Sequence, residues 1–303
     1  NLERYSLALA RTNGTALTIS GSGRYGVSSG DLTLQSKIDA ALPGLLSLVG
    51  RPDLDLEVSA GTLQLSASYS QQHGQTNASG FVQVSDLSGH YGRYSFQNLA
   101  SRLDCDLEIK NQAIQLRRLA WVVSQATRAA GTLDLTGTYD LGRKAGEFTF
   151  SATEVNQNAL GPLLTPALAP NKLVSVSLNS KGKATLDANG ESAVNASLVV
   201  TNLVVEDPQR KLPKSPLKAE VVVDGGIKQA LLTLRQVMLR LSPTDRAKNE
   251  MLLSGRLDLS QTNVYSGAMS LRAESLDLTP YYDLVAGKPM AAAPAAEPTP
   301  QGP

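Results

Sequence analysis

The sequence predicts a mainly β protein, folded as a long antiparallel meander with few and short helices. The first observation is the alternation of apolar and polar residues over short stretches, as in Leu133 and Leu135 against Asp134 and Thr136. A period of two is typical of a half-buried strand. The second observation is the set of Gly, Asn and Asp residues that separates these stretches and favours turns. The third is a repeat of the whole pattern along the chain.

Three glycines mark the repeat: Gly30, Gly146 and Gly267 stand 116 and 121 residues apart. Each opens a strand that leads into an apolar, Pro-containing stretch with helical spacing. The segments between them also match, because 81–87 aligns with 197–203 and 116–119 aligns with 234–237. These spacings predict tandem modules of about 118 residues, longer than the usual solenoid unit. The predicted divisions are 1–50 (end of a preceding module, a hairpin plus a short helix), 51–169 (first full module), 170–287 (second full module) and 288–303 (Pro/Ala-rich linker or disordered tail).

The individual elements follow from where the alternation holds and where it breaks. The apolar stretches that begin at 38, 156 and 276 predict helices, and Pro162 and Pro166 limit the second of these to a turn or two or split it. Loops are predicted at 70–80, 207–216 and 243–249, and turns at 13–14, 189–190 and 224–226. Strands are predicted over 2–26 (two strands), 30–36, 53–59, 62–69, 81–87, 94–99, 103–109, 114–123, 131–139, 146–151, 173–181, 183–187, 193–205, 217–223, 231–241, 257–261 and 267–273.

Composition narrows the function classes. Hydrophobic residues make up 42% of the chain, charged residues 18%, and the formal net charge is +1. This balance excludes the basic footprint of a nucleic-acid-binding protein. The single cysteine, Cys105, excludes an intramolecular disulfide framework and is expected to be a buried, inert thiol. No apolar run approaches 18 residues, and the chain begins at Asn1 without a visible secretory signal, so an anchor or signal is expected to lie outside this sequence.

Several motifs resemble enzyme signatures but lack their context. The segment 21–26 matches G-x-G-x-x-G, yet a strand follows it where a dinucleotide site requires a helix. The segment 26–30 matches the G-x-S-x-G nucleophile elbow around Ser28, whose base would have to be His73 or His90, both in polar, loop-like stretches. Asp104 and Asp106 lie two residues apart on one strand face, without the cleft of a glycosidase. The sequence therefore predicts no enzyme activity, no cofactor and no metal site.

The most distinctive feature is a set of long aliphatic rows. In one interpretation these rows pack in a closed sandwich core or under the short helices, because aliphatic residues are usually buried. Trp121, in an apolar strand, is also most simply a core residue. In the other, the sheet is curled into a trough and part of the aliphatic face is open for acyl chains. The candidate groove residues are Leu107, Ile109, Ile114, Leu116, Leu198, Val200, Val221, Val223, Leu232, Leu234, Leu239 and Leu241.

The tandem hairpin, short helix and meander resemble the AsmA-like family of bacterial envelope proteins, to which TamB is related. The residues that carry the resemblance are the segments 131–137 (GTLDLTG), 155–164 (VNQNALGPLL), 196–203 (ASLVVTNL) and 276–284 (LDLTPYYDL). The resemblance covers most of 17–287. It implies a long, twisted, groove-like or taco-like β-sheet in the periplasm, tethered to the inner membrane, and a role in phospholipid movement and outer membrane assembly. The family offers no catalytic motif to match.

The sequence and the resemblance together predict a non-enzymatic, periplasmic segment that binds or transports phospholipid or another acyl lipid. Its acyl chains would lie along the apolar groove, its other partners would be envelope proteins, and membrane contact would come through segments outside this chain. The alternative is a structural or protein-interaction β module of the cell envelope, with a closed core and sheet edges that engage a partner.

Overall fold

The prediction of a mainly β, antiparallel fold is confirmed. The computed structural model describes residues 2–11, 14–49, 56–92, 94–168, 171–206, 215–261 and 264–281. These form one antiparallel sheet in which every strand is hydrogen-bonded to the next strand along the chain. The strands are β1 (Leu2–Arg11), β2 (Gly14–Tyr25), β3 (Leu32–Ala41), β4 (Leu56–Gln72), β5 (Gln75–Tyr91), β6 (Tyr94–Lys110), β7 (Ala113–Gln125), β8 (Arg128–Asp140), β9 (Ala145–Asn156), β10 (Lys172–Leu186), β11 (Ser192–Glu206), β12 (Leu217–Lys228), β13 (Leu231–Leu241), β14 (Glu250–Gln261) and β15 (Val264–Ala273).

The two helices lie at one end of the strands. Helix α1 (Leu42–Val49) follows β3, and α2 (Gln157–Leu168) follows β9. Residues 275–281 follow β15 at this same end and finish in a single helical turn. We call this the helix end. At the opposite end, which we call the turn end, the described connections are short, as in the turns 73–74, 111–112, 141–144 and 229–230.

The sheet is a single layer and is not closed. Among the described residues, β1 and β15 are the two edge strands, and each inner strand contacts its two sequence neighbours. The elements that pack on the sheet are the helices: α1 contacts β2 to β4, and α2 contacts β6 to β10. The described part of the chain therefore contains no second sheet that could complete a sandwich core.

The buried side chains form a strip along the helix end. Phe96, Val123, Val155, Val176 and Leu217 are each less than 7% exposed, and all lie within a few residues of that end of their strands. Most other buried side chains are alanines. Beside α1, Gly61 has φ +143° and contacts the helix, since a Cβ there would lie 3.1 Å from Leu42 Cδ1. The buried side chains thus follow the helix end of the sheet, and in the described residues no other element packs on the centre of the sheet.

Two predicted breaks are strand instead. Most of the predicted loop 70–80 belongs to β4 and β5, which meet in the two-residue turn His73–Gly74. The predicted turn 224–226 lies inside β12, and the chain reverses at Gln229–Ala230. Both segments are polar or Gly-rich, yet ladder pairing on each side keeps them extended. The predicted turn at 13–14 and tail at 288–303 fall wholly or partly outside the described residues.

Positions that the repeat places in equivalent sites share local geometry. Asp86 and Asn202 both have positive φ, 54° and 52°, inside a β-bulge, where Asp and Asn tolerate the left-handed conformation best. Arg117 and Arg235 both lie in the bulges that follow Leu116 and Leu234. Helix α2 runs for 12 residues through both prolines, so it is longer than the predicted turn or two. The module boundaries themselves stay a prediction.

Candidate functional site

One face of the sheet carries an unbroken apolar surface, and the ladder register builds it. Partners in adjacent strands share a face, so a chain of such pairs traces a row across the whole sheet. One row crosses all strands from β1 to β15 and contains a single polar residue, Ser180. Its members are Leu7, Ile19, Ile38, Leu65, Val82, Leu103, Trp121, Leu133, Ala152, Ser180, Leu198, Val221, Leu239, Met251 and Ala273.

Parallel rows extend this apolar face toward both strand ends. On the turn side, for example, Leu107 faces Leu116, which in turn faces Gly137. Among the described residues, Arg128 at the helix end of β8 is the only Asp, Glu, Lys or Arg at a paired position of the apolar face between Leu17 in β2 and Leu271 in β15. An amphiphile's tail on the central rows of this face would therefore meet no charge.

Several polar groups of the apolar face have hydrogen-bond partners within the protein. The Trp121 indole N–H donates to Ser101 Oγ at 2.7 Å. The Ser180 hydroxyl donates to the Ser197 carbonyl at 2.9 Å, and the Tyr5 hydroxyl shares a 2.7 Å hydrogen bond with Ser36. Because these groups have partners already, an apolar ligand could cover them without the cost of unpaired polar groups.

All twelve candidate groove residues lie on the apolar face, and all are half-buried. The register brings them together in two groups. In the first group Leu107 faces Leu116 and Ile109 faces Ile114. The second group spans β11 to β13, and its members are Leu198, Val200, Val221, Val223, Leu232, Leu234, Leu239 and Leu241. Strands β8 to β10 separate the two groups.

The sequence reasoning missed the residues that join these groups. Leu133, Phe148 and Phe150 continue the face across β8 and β9, and their alternation with polar residues was the available signal. Phe148 and Phe150 lie against Gly137 and Gly182 of the neighbouring strands, where any larger residue would collide with the rings. Trp121 and Cys105 are half-buried members of the apolar face. Neither is fully buried, so the expectations of a core tryptophan and of a buried thiol were both wrong.

The opposite, outer face carries the charges. Arg102 donates to both carboxylate oxygens of Asp104 and to Gln83 Oε1 at 2.9 Å, and its guanidinium lies 4.0 Å from the centre of the Phe81 ring. The hydrogen bond from Arg102 lowers the pKa of Asp104. Asp106 lies 3.6 Å from Arg117. Both carboxylates that could have suggested acid–base chemistry are thus engaged with arginines on the outer face.

In strands β7 to β9 the apolar face is also the more sheltered of the two. Ile114, Leu116 and Leu119 are half-buried, whereas Gln115, Arg117 and Arg118 between them are exposed. The same alternation holds in β9. A flat single sheet would expose both faces equally, so this difference reflects the shape of the sheet and the packing of α2 on the apolar side.

The other motifs are not assembled into a site. Ser28 and His73 both lie in connections at the turn end, but no hydrogen bond joins these two described residues. His90 lies near the helix end and 3.6 Å from Glu57. Within the described ranges, no three His, Cys, Asp or Glu side chains cluster as metal ligands would. A concavity of about 710 Å³ over β1 to β3 is lined by Arg4, Ser22, Gly23, Arg24, Thr33, Leu34 and Gln35, a set without a general base or a nucleophile–base pair.

Comparison with known proteins adds no relative. No protein-family model, no curated protein and no solved structure matches the chain. In the described part of the chain, neither helix has the length and apolar character needed to cross a bilayer.

Proposed function

We propose that this chain is a non-enzymatic, lipid-binding segment of the AsmA-like type, which holds phospholipid acyl chains against its apolar face. The observation that carries the proposal is the uncharged row of the apolar face, which crosses all fifteen strands without a second sheet over it in the described residues. In this proposal the chain works in the periplasm, tethered to the inner membrane by a segment outside this sequence, and serves lipid transport in outer membrane biogenesis.

The hydrophobic effect supplies the binding energy in this proposal. Each methylene moved from water to an apolar surface contributes about 0.8 kcal/mol, so a tail that covers ten methylenes would gain several kcal/mol after its ordering cost. The half-buried rows offer that surface. A continuous apolar face of this length would favour aggregation if nothing covered it, and a bound lipid layer removes that liability.

The rows also suggest how a lipid could move. Because apolar residues follow one another from strand to strand, a tail that shifts by one strand spacing, about 4.8 Å, exchanges one apolar contact for another. No charged side chain interrupts the paired positions of this path in the described residues. Movement along the sheet would require no covalent chemistry, and the head group would stay in water.

A matched pair of valines allows a sharp test. Val82 and Val122 are both 39% exposed, but Val82 lies on the apolar face and Val122 on the outer face. We expect Val82→Asp to lower the amount of co-purified phospholipid at least about tenfold, because a carboxylate against an acyl chain costs more than the roughly 1.4 kcal/mol that corresponds to tenfold. Val122→Asp should retain lipid. Native mass spectrometry and lipid extraction after periplasmic expression measure both.

The outcome separates lipid binding from its alternative. Equal loss of lipid in both variants, or a folded wild-type chain without lipid, would contradict the proposal.

The alternative is a β module that binds another envelope protein, and one observation favours it. In β12 to β14 the outer face carries an apolar patch of its own, since Val222 faces Met238, which faces Leu252. These residues are half-buried, and nothing among the described residues packs over them.

A further inference from the structure

The apolar face is covered along one edge and open along the other. Fourteen described residues other than glycine are buried. Twelve of them are apolar, and all of the fourteen but Ala120 lie at or near the helix end of their strands or in its connections. Helices α1 and α2 extend this cover, and both lack charged residues, as their sequences LPGLLSLV and QNALGPLLTPAL show. The two helices therefore bring no charge to the edge of the apolar face that they cover, whereas the exposed charges at this end, such as Lys248 beside Glu274 at 2.7 Å, belong to the strand ends and their other connections.

The turn end lacks a helical cover in the described residues. Its described connections are too short to fold back over the sheet. They carry exposed charges, including Arg143 near Asp140 at 3.8 Å and Lys228 near Glu191 at 3.8 Å. The Asp187 carboxylate accepts hydrogen bonds from the backbone of Asn189 and Glu191 in one of these turns. The turn end is therefore polar and exposed to solvent, and no helix packs over it in the described residues.

An amphiphile on this face has one favourable orientation. Its tail gains most where the apolar surface is flanked by uncharged helices, and its head group keeps its hydration only where the edge is open to water. We infer that each bound lipid points its acyl chains toward the helix end and its polar head group toward the turn end. This inference rests on the proposed function and names the ligand as an amphiphile whose head group remains outside the protein.

Spin labels at the two ends of one strand test the orientation. Arg128 begins β8 at the helix end, and Arg143 lies in the turn that follows β8, so the two exposed positions are roughly 40 Å apart along the strand. Single cysteines, Arg128→Cys or Arg143→Cys, are introduced with Cys105→Ser and spin-labelled. Phosphatidylcholine carries the second label, either on its head group or near the end of one acyl chain, and is used below one equivalent per protein.

Pulsed electron paramagnetic resonance then measures four distances. We expect the head-group label to lie closer to position 143 than to position 128, and the tail label to show the reverse order. Head groups that lie closer to position 128, or equally far from both, would overturn the orientation and leave lipid binding intact. If no phosphatidylcholine binds to the labelled or the unmodified chain, both the orientation and the proposed function fail. Circular dichroism of each variant establishes that the sheet is folded.

Discussion

The half of the sheet from β4 to β9 and the half from β10 to β15 share one ladder but differ in their outer faces. In the first half the outer positions are mostly polar or charged, as in Gln83, Arg102 and Asp104. In the second half Val222, Met238 and Leu252 form an apolar row there. Strands that are apolar on both faces are typical of sheets covered on both sides. The two halves therefore share an apolar inner face and differ in how apolar their outer faces are.

The two halves also close the helix end by different means. In the first half and the adjoining strand β10 the cover is α2, and Val155 in β9 and Val176 in β10 are each 5% exposed. The second half uses residues 275–281, which are fixed by hydrogen bonds to Asn249, a fully buried side chain. Asn249 Nδ2 donates to the Ser242 carbonyl at 2.8 Å, and its Oδ1 accepts from the Asp277 N–H at 2.6 Å. The same place in the fold is therefore closed by apolar packing in one half and by polar pairing in the other.

The largest expected effect comes from a charge beneath α2. Val155→Asp would bury a carboxylate without a partner, so we expect it to lower the free energy of unfolding by more than about 3 kcal/mol or to prevent folding. Urea denaturation followed by circular dichroism measures this change.

In the second half, Asn249→Ala would leave the Ser242 carbonyl and the Asp277 N–H unpaired. We expect this change to lower the free energy of unfolding by about 2 kcal/mol and to release 275–281 before the rest of the sheet unfolds. Hydrogen exchange of 275–281 measures the release.

Val194→Asp is the control for Val155→Asp, because Val194 lies on the same face and is 41% exposed. We expect it to cost less than about 1 kcal/mol. If Val155→Asp proved as stable as Val194→Asp, the helix end would not be closed by packing, and the contrast between the two halves would disappear.

At the helix end, a smaller effect should depend on pH in the second half only. Hydrogen bonds from Thr279, and then from the Thr244 hydroxyl, lower the pKa of Asp277. A carboxylate whose pKa is lower in the folded state stabilises that state above its unfolded pKa, and the stabilisation is lost as the pH falls through the folded pKa. We expect the protection factors of 275–281, corrected for intrinsic exchange, to fall below about pH 4.

The first half provides an internal control for this pH effect. Asn156 occupies the place that the repeat assigns to Asp277, and its Oδ1 accepts from the Asn158 N–H at 3.0 Å. An amide does not titrate, so the start of α2 should show no such step. Asp277→Asn should remove the step from 275–281. A step that persists in this variant would mean that another group controls the segment.

The strands of the sheet could be predicted from the sequence, but whether another element packs over the apolar face could not. Alternation at residues such as Leu133 and Leu135 predicted the strands and the apolar face, because side-chain direction in a strand depends only on position. Whether that face was packed or open could not be predicted, since a core row and a groove row have the same composition. The role of Asn249 in fixing residues 275–281 could not be predicted either. A polar residue in a polar loop gives no signal of burial until 275–281 folds against it.

The smallest expected effect concerns the two bulge arginines. Arg117 reaches Glu108 and Asp106, whereas Arg235 pairs with Asp224, to which its Nε donates at 2.7 Å. Their side chains are 40% and 46% exposed, so water and salt screen both sites. We expect Arg117→Met to cost about 0.5–1 kcal/mol and Arg235→Met about half of that, with the difference lost in 1 M salt. Urea midpoints at low and high salt measure this. A salt-independent loss above about 2 kcal/mol at either site would show that the arginine holds the bulge by packing rather than by charge, because packing is not screened by ions.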